Sequence, residues 1–367
     1  MKKLIILLLL LICGVHELTA QKIDITSVDE FFNIASKMKE GKHITENQWM
    51  VFDSTGGYRE YSTRRDQIRI NIIKTSLDLT FNDNNINILK DSILNINEEI
   101  IKNNSDLRLA KMTLINFIDI KDNFDSIKAF RDNYDFNNLI NNVTKKLGSF
   151  LGKPVDSRIR FLPVYFLFQE KDSQTRENGI YIDFNSFYRK TEEQRINLLA
   201  HEFFHNYRRW FENSEFNRKN YLYYYIDVIQ NEGIADLIDK SEGYRKYFTS
   251  NGFDHEMVEN WNSLYVQAPK DLERLQNLMI KFSKKKISEV VAEKEIHDIV
   301  KYNGHPIGFY MACKIVNAGY KEEMLKTLYN PYEFFRLYNK AAKKQNDFQL
   351  NDTFMSYLNN IIKKYYK

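Results

Sequence analysis

Residues that favour extended backbone gather in one short part of this chain. Arg158 to Phe168 (RIRFLPVYFLF) and Gly179 to Phe184 (GIYIDF) are rich in β-branched and aromatic side chains, with the polar stretch Gln169 to Asn178 between them. Elsewhere the apolar residues recur at helical spacing. The segment 155–188 is therefore the one good source of strands, and any sheet is small. The expected fold class is α+β and predominantly helical. At 43% hydrophobic and 28% charged, 367 residues suffice for one large or two modest domains with real cores.

Residues 22–150 read as a helical region. Ser27-Val28-Asp29-Glu30 matches a capping box ahead of Phe31, Phe32 and Ile34. Helical periods follow in Ile68 to Leu79, Leu107 to Ile118 and Phe136 to Leu147, separated by loops at Asn82 to Asn85 and Asn103-Asn104-Ser105. The character changes near Gly152-Lys153-Pro154. The expected organisation is a leader at 1–20, a helical N-terminal region at 21–150 and a catalytic domain at 151–367. From Thr191 onward helical periods return, with loops near Asn213-Ser214, Gly252 and Pro269. No internal repeat is visible.

The first twenty residues have the pattern of a secretory signal peptide: Lys2 and Lys3, the apolar run Leu4 to Ile12, then Leu18-Thr19-Ala20 before Gln21. The apolar run is far shorter than the ~20 residues a bilayer span needs. A lipoprotein reading through Cys13 is the weaker one, because bulky Ile12 stands where a small residue is expected. The chain is thus expected to be exported, to the periplasm or the medium, with no stable membrane span in its mature form. Loss of Cys13 leaves Cys313 alone, so no intramolecular disulfide is possible and a packed core must hold the fold. Cys313, within Phe309 to Val316, reads as an inert thiol. The 53 basic against 49 acidic residues give a net charge of +4 without a basic block beyond Lys284-Lys285-Lys286, which argues against nucleic acid as a partner.

HEFFH, at His201 to His205, carries the chemistry. Thr191-Glu192-Glu193-Gln194 is a capping box ahead of it. Ile196, Leu199, Ala200, Phe203 and Phe204 give the following helix one apolar side. Histidines four apart project from one helical face at neighbouring heights. That is the spacing two imidazoles need to take adjacent positions around a tetrahedral zinc at about 2.1 Å. Glu202 can reach a metal-bound water without occupying a coordination position, as a general base that later protonates the leaving amine.

A third ligand must come from elsewhere. The extended HExxHxxGxxH pattern fails at Arg208 and Phe211, and the inverted HxxEH pattern is absent. Asn231-Glu232-Gly233-Ile234-Ala235-Asp236 supplies a glutamate followed four residues later by an aspartate on the same helical face. One of the two can then bind the metal while the other holds the outer nitrogen of a ligand histidine. Gly233 and Ala235 would let this helix approach the HEFFH helix closely. HEFFH and NEGIAD together resemble the gluzincin, thermolysin-like metallopeptidases. The chain is also similar to uncharacterised exported bacterial families described as zinc-dependent peptidases. The resemblance implies a zincin-like catalytic domain, Zn²⁺ on His201, His205 and Glu232, Glu202 as base, Asp236 behind the ligands, and a peptide or protein substrate. It does not reach residues 22–150.

Such chemistry also needs a donor to the tetrahedral oxyanion. Tyr302-Asn303-Gly304-His305-Pro306-Ile307-Gly308-Phe309-Tyr310 offers His305 first, at the mouth of a helix started by Pro306, then Tyr302 and Tyr310. Gly304 and Gly308 would permit close backbone approach. Gly179 to Phe184 is expected to be a sheet edge to which an extended peptide adds. His255-Glu256-Met257-Val258-Glu259 imitates the motif without its second histidine and reads as a surface helix. His43 and His297 read as exposed; Tyr221, Tyr223, Tyr224 and Tyr225 as packing; Arg208 and Arg209 as partners of the helix dipole. The functional expectation is an exported zinc metallopeptidase. The alternatives are a zinc hydrolase of a non-peptide amide or ester, and a non-catalytic binding protein on a zincin scaffold.

Overall fold

The β-rich segment supplies three of the four strands in a computed structural model that describes residues 22–60, 62, 67–85, 94–97, 100–101, 104–156, 158–211, 220–253 and 255–365. The expected leader at 1–20 and the loop at Asn213-Ser214 lie outside the described residues. Two compact units emerge, one from residues up to Asn137 with Arg160–Arg189, the other from Asn138–Ile159 with Lys190–Lys367.

In the first unit the strands are β1 (Ile23–Asp24), β2 (Val164–Leu167), β3 (Ser173–Thr175) and β4 (Ile180–Asp183), in the order β1-β2-β4-β3. β2 runs parallel to both β1 and β4, whereas β3 is antiparallel to β4. Every residue of β2 and β4 is buried, as befits parallel strands covered on both faces. The covering helices include Thr26–Lys39, Gln67–Phe81 and Ser105–Asp122. Phe31 sits at the centre, with ring centroids 4.4 Å from Phe168 and 5.0 Å from Phe117.

Three expectations are corrected here. Because β4 is hydrogen-bonded to β2 on one side and β3 on the other, Gly179 to Phe184 is no edge and cannot take an added peptide strand. The strands expected to open a 151–367 domain group instead with the N-terminal helices, since Ile23 and Asp24 pair with Val164 and Tyr165. Ser27 lies inside its helix rather than at the cap; its Oγ accepts a hydrogen bond from the Gly57 amide at 2.9 Å and lies 2.9 Å from Thr55 Oγ1.

The second unit is helical. Its HEFFH helix (Glu192–Arg209) starts at the expected capping box: Thr191 Oγ1 accepts from the Gln194 amide at 3.3 Å, and Gln194 Oε1 accepts from the Thr191 amide at 2.8 Å. The NEGIAD helix (Tyr221–Asp239) is capped by Asn220, which accepts from the Leu222 amide. The helix His255–Ser283 runs through Pro269 without the expected loop, its buried Ala268, Leu272, Leu275 and Met279 holding it against the core. Arg208 is 1% exposed rather than a surface partner of the dipole. Its Nε donates to the Leu328 carbonyl at 2.8 Å, and its Nη atoms donate to Asp227 and Gln230 on the NEGIAD helix. A buried guanidinium bonded through all three of its nitrogens thus ties the two helices of the motif together.

Gly233 has a different neighbour from the one expected. A Cβ there would lie 2.2 Å from the carbonyl carbon of Gly308, on the His305 helix (His305–Asn317), and a Cβ on Gly308 would lie 2.1 Å from the Ile229 carbonyl oxygen. The NEGIAD and His305 helices therefore cross backbone to backbone. Gly233→Ala should lower stability by about 1–3 kcal/mol, the usual cost of overpacking, measured by denaturant unfolding. An unchanged midpoint would show that the crossing tolerates a side chain.

Candidate metal centre

Three elements of the second unit aim side chains into one buried space. His201 and His205 project from one face of the HEFFH helix with ring centroids 4.7 Å apart. Glu232 enters from the NEGIAD helix. Its Oε2 lies 3.2 Å from His205 Nε2 and 3.8 Å from His201 Nε2. His305, the first residue of its helix and followed by Pro306, brings Nε2 to 3.3 Å from the same oxygen. Glu202, 5% exposed, follows His201 on the HEFFH helix.

Carboxylates hold the outer nitrogens of two of these rings. His201 Nδ1 is 3.0 Å from Asp239 Oδ1, and His305 Nδ1 is 2.9 Å from Asp236 Oδ1. A carboxylate accepts only, so each Nδ1 carries a proton and each ring turns its Nε2 toward Glu232. Asp236, expected behind a ligand histidine, thus serves His305 and lies 3.7 Å from His201 Nδ1. Asp239 takes that place, and sequence reasoning missed it. Lys240 was missed too: its Nζ donates to Asp236 Oδ1 and Asp239 Oδ2, both at 2.8 Å. Tyr244 donates its hydroxyl to Asp236 Oδ2 at 2.9 Å. Asp239 and Lys240 lie three and four residues beyond Asp236, so reading that helical row further would have found both.

The electrostatics of this cluster call for added positive charge. The carboxylates of Glu232, Asp236 and Asp239 gather around the single ammonium of Lys240, with the buried Glu202 carboxylate on the HEFFH helix. Burial would push the His201 imidazolium down, but Asp239, opposed by Lys240, carries its pKa up to about 10. His305 moves the same way: burial is outweighed by Asp236 and Glu232. Burial would raise Glu232, yet His205 and His305 hold it well below the usual carboxylate range. A cation bound among these carboxylates would offset their charge.

The donor geometry fits as well. His201, His205 and Glu232 each offer one ligand atom, all within 4.8 Å of one another. Two ligands at 2.0–2.1 Å around a tetrahedral ion stand about 3.3 Å apart, between the 3.2 and 3.8 Å gaps seen here. His201, Asp236 and Asp239 form a second such group, but Lys240 already bridges its two carboxylates.

The other sequence-level residues fall outside the cluster. Tyr310 donates to Asp347 Oδ2 at 2.5 Å, and Tyr302 accepts from Asn260 Nδ2 at 2.8 Å. His255 is exposed, while exposed His297 is flanked by the Tyr221 and Tyr225 hydroxyls at 2.9 and 3.0 Å. The half-buried Cys313 thiol is pushed up to about 11 by burial, away from the reactive thiolate. Among the described residues no helix is long and apolar enough to cross a membrane.

A mostly helical α+β protein with a buried two-histidine, one-carboxylate centre backed by charged partners belongs to the metal-dependent class. The chain is a member of the family described as "Putative zinc dependent peptidase (DUF5700)", whose model matches residues 48–347. No curated protein and no solved structure matches it. Zinc is accordingly its cofactor, and the family points to a peptide hydrolase.

Lys240 gives the cluster a direct test. Lys240→Met would leave Asp236 and Asp239 as adjacent buried carboxylates, at a cost of about 3–5 kcal/mol. Chemical denaturation should show that loss, and a variant of ordinary stability would mean that the ammonium is dispensable.

Proposed function

We propose that this chain is an exported zinc metallopeptidase of the gluzincin kind, with a zincin-like active site in its second unit. The observation that carries the reading is the convergence of His201 Nε2, His205 Nε2 and Glu232 Oε2 in a cluster rich in carboxylates. These three side chains would hold the ion, with Asp239 orienting His201. Zinc bound there supplies Lewis acidity toward a scissile carbonyl and lowers the pKa of a water. Glu202, adjacent to His201 on the same helix, takes a proton from the attacking water on its carboxylate and delivers it to the nitrogen of the leaving amine. His305, fixed through Nδ1 by Asp236 and held in its protonated form by Asp236 and Glu232, donates its Nε2 proton in a hydrogen bond to the developing oxyanion. The charged and then apolar pattern of the first twenty residues supports export.

Peptide-library cleavage beside metal analysis tests this reading. Glu202→Gln should retain zinc and lose about a hundred- to ten-thousand-fold in kcat/KM. Glu232→Ala should lose the metal itself. Zinc without any cleavage by the wild-type protein would favour a non-peptide substrate or a binding role. Full zinc retention by Glu232→Ala would remove Glu232 from the ligand set.

A further inference from the structure

The turn before His305 is built at a conformational cost. Tyr302, Asn303 and Gly304 all have left-handed backbone, with φ of 45°, 49° and 81°. Glycine adopts this freely, but a tyrosine does so only where its surroundings impose it. Gly304 explains its own place, since a Cβ there would meet Ile229 of the NEGIAD helix at 3.1 Å. Nothing comparable requires a tyrosine at 302. Its ring nevertheless lies flat on Trp261, with centroids 4.3 Å apart and planes at 22°, and its hydroxyl accepts from Asn260. The residue remains 47% exposed.

This pair adjoins the metal centre. Trp261 meets the His305 ring edge-on at 5.9 Å, and His305 Nε2 is the atom 3.3 Å from Glu232. Trp261 is itself held from behind by Tyr244 and Phe248, at 5.1 and 4.9 Å. Tyr244 is the residue whose hydroxyl fixes Asp236. A chain of ring contacts therefore runs from the carboxylate that orients His305, through Tyr244 and the partly buried Trp261, to the exposed ring of Tyr302. Aromatic faces so presented favour planar, apolar partners through stacking and area burial.

We propose that Tyr302 and Trp261 form a binding shelf for an aromatic side chain of the substrate, next to the bond that is cleaved. The proposal rests on the peptidase reading and adds a substrate class to it. The strained turn serves to hold the Tyr302 ring over Trp261 while starting the His305 helix at Gly304. The shelf discriminates by binding, so its loss acts chiefly on KM.

The test uses the zinc-loaded full chain and pairs of peptides differing only as Phe or Ala at each position around the cleaved bond. Wild type should prefer Phe at one position, and Tyr302→Gly, which accepts left-handed backbone without strain, should retain zinc and reduce that preference about fivefold. Binding of the same peptides to Glu202→Gln by calorimetry gives a readout independent of turnover, where Tyr302→Gly in that background should reduce the Phe-over-Ala difference by the same factor. Cleavage with no aromatic preference, or a preference untouched by Tyr302→Gly, overturns the shelf and leaves the peptidase. Selective binding without cleavage by wild type overturns the peptidase and leaves the shelf.

Discussion

The centre depends on a place where two helices touch with nothing between them. Gly233 and Gly308 meet backbone to backbone, and each stands beside a functional residue: Glu232 precedes Gly233, and His305 lies one turn before Gly308. A side chain at either glycine would push the NEGIAD and His305 helices apart. It would thereby pull His305 Nε2 away from the Glu232 oxygen 3.3 Å from it. A mid-helix glycine costs about 1 kcal/mol relative to alanine. Here that cost is met by a contact that sets the distance between two side chains of the centre.

Charge is arranged around this contact with little slack. Lys240 binds Asp236 and Asp239 equally, and each of those carboxylates orients one imidazole. Buried ion networks of this kind stabilise little by themselves, since desolvation consumes much of the Coulombic gain. Their effect is on orientation, because the His201 and His305 nitrogens facing Glu232 are each fixed by the bond the other ring nitrogen makes. The same cluster accounts for the upward pull on both imidazoles, and a bound cation would offset its carboxylate charge. Arg208 acts similarly at the far end of the HEFFH helix, where a buried guanidinium holds that helix to Asp227 and Gln230.

Local features of this protein were readable from sequence, and long-range ones were not. The Thr191–Gln194 capping box, the shared face of His201 and His205, and the start of a helix at His305 before Pro306 follow from spacing within a few residues. The partner of Gly233 does not, because 75 residues separate it from Gly308 in the chain. Nor does the interior position of β4, which depends on β3, three polar residues with no strand-like pattern. Pro269 misled because packing of the flanking helix outweighs the hydrogen bond a proline forfeits. Asp239 and Lys240 were legible in principle, since they continue the helical row of Asp236.

The most direct test of the account is the position of zinc itself. Anomalous diffraction at the zinc edge, from crystals of the metal-loaded protein, should give one ion per chain. His201 Nε2, His205 Nε2 and a Glu232 oxygen should lie about 2.0–2.2 Å from it. An ion bound instead by Asp236 and Asp239, or no ordered ion in this cluster, would contradict it.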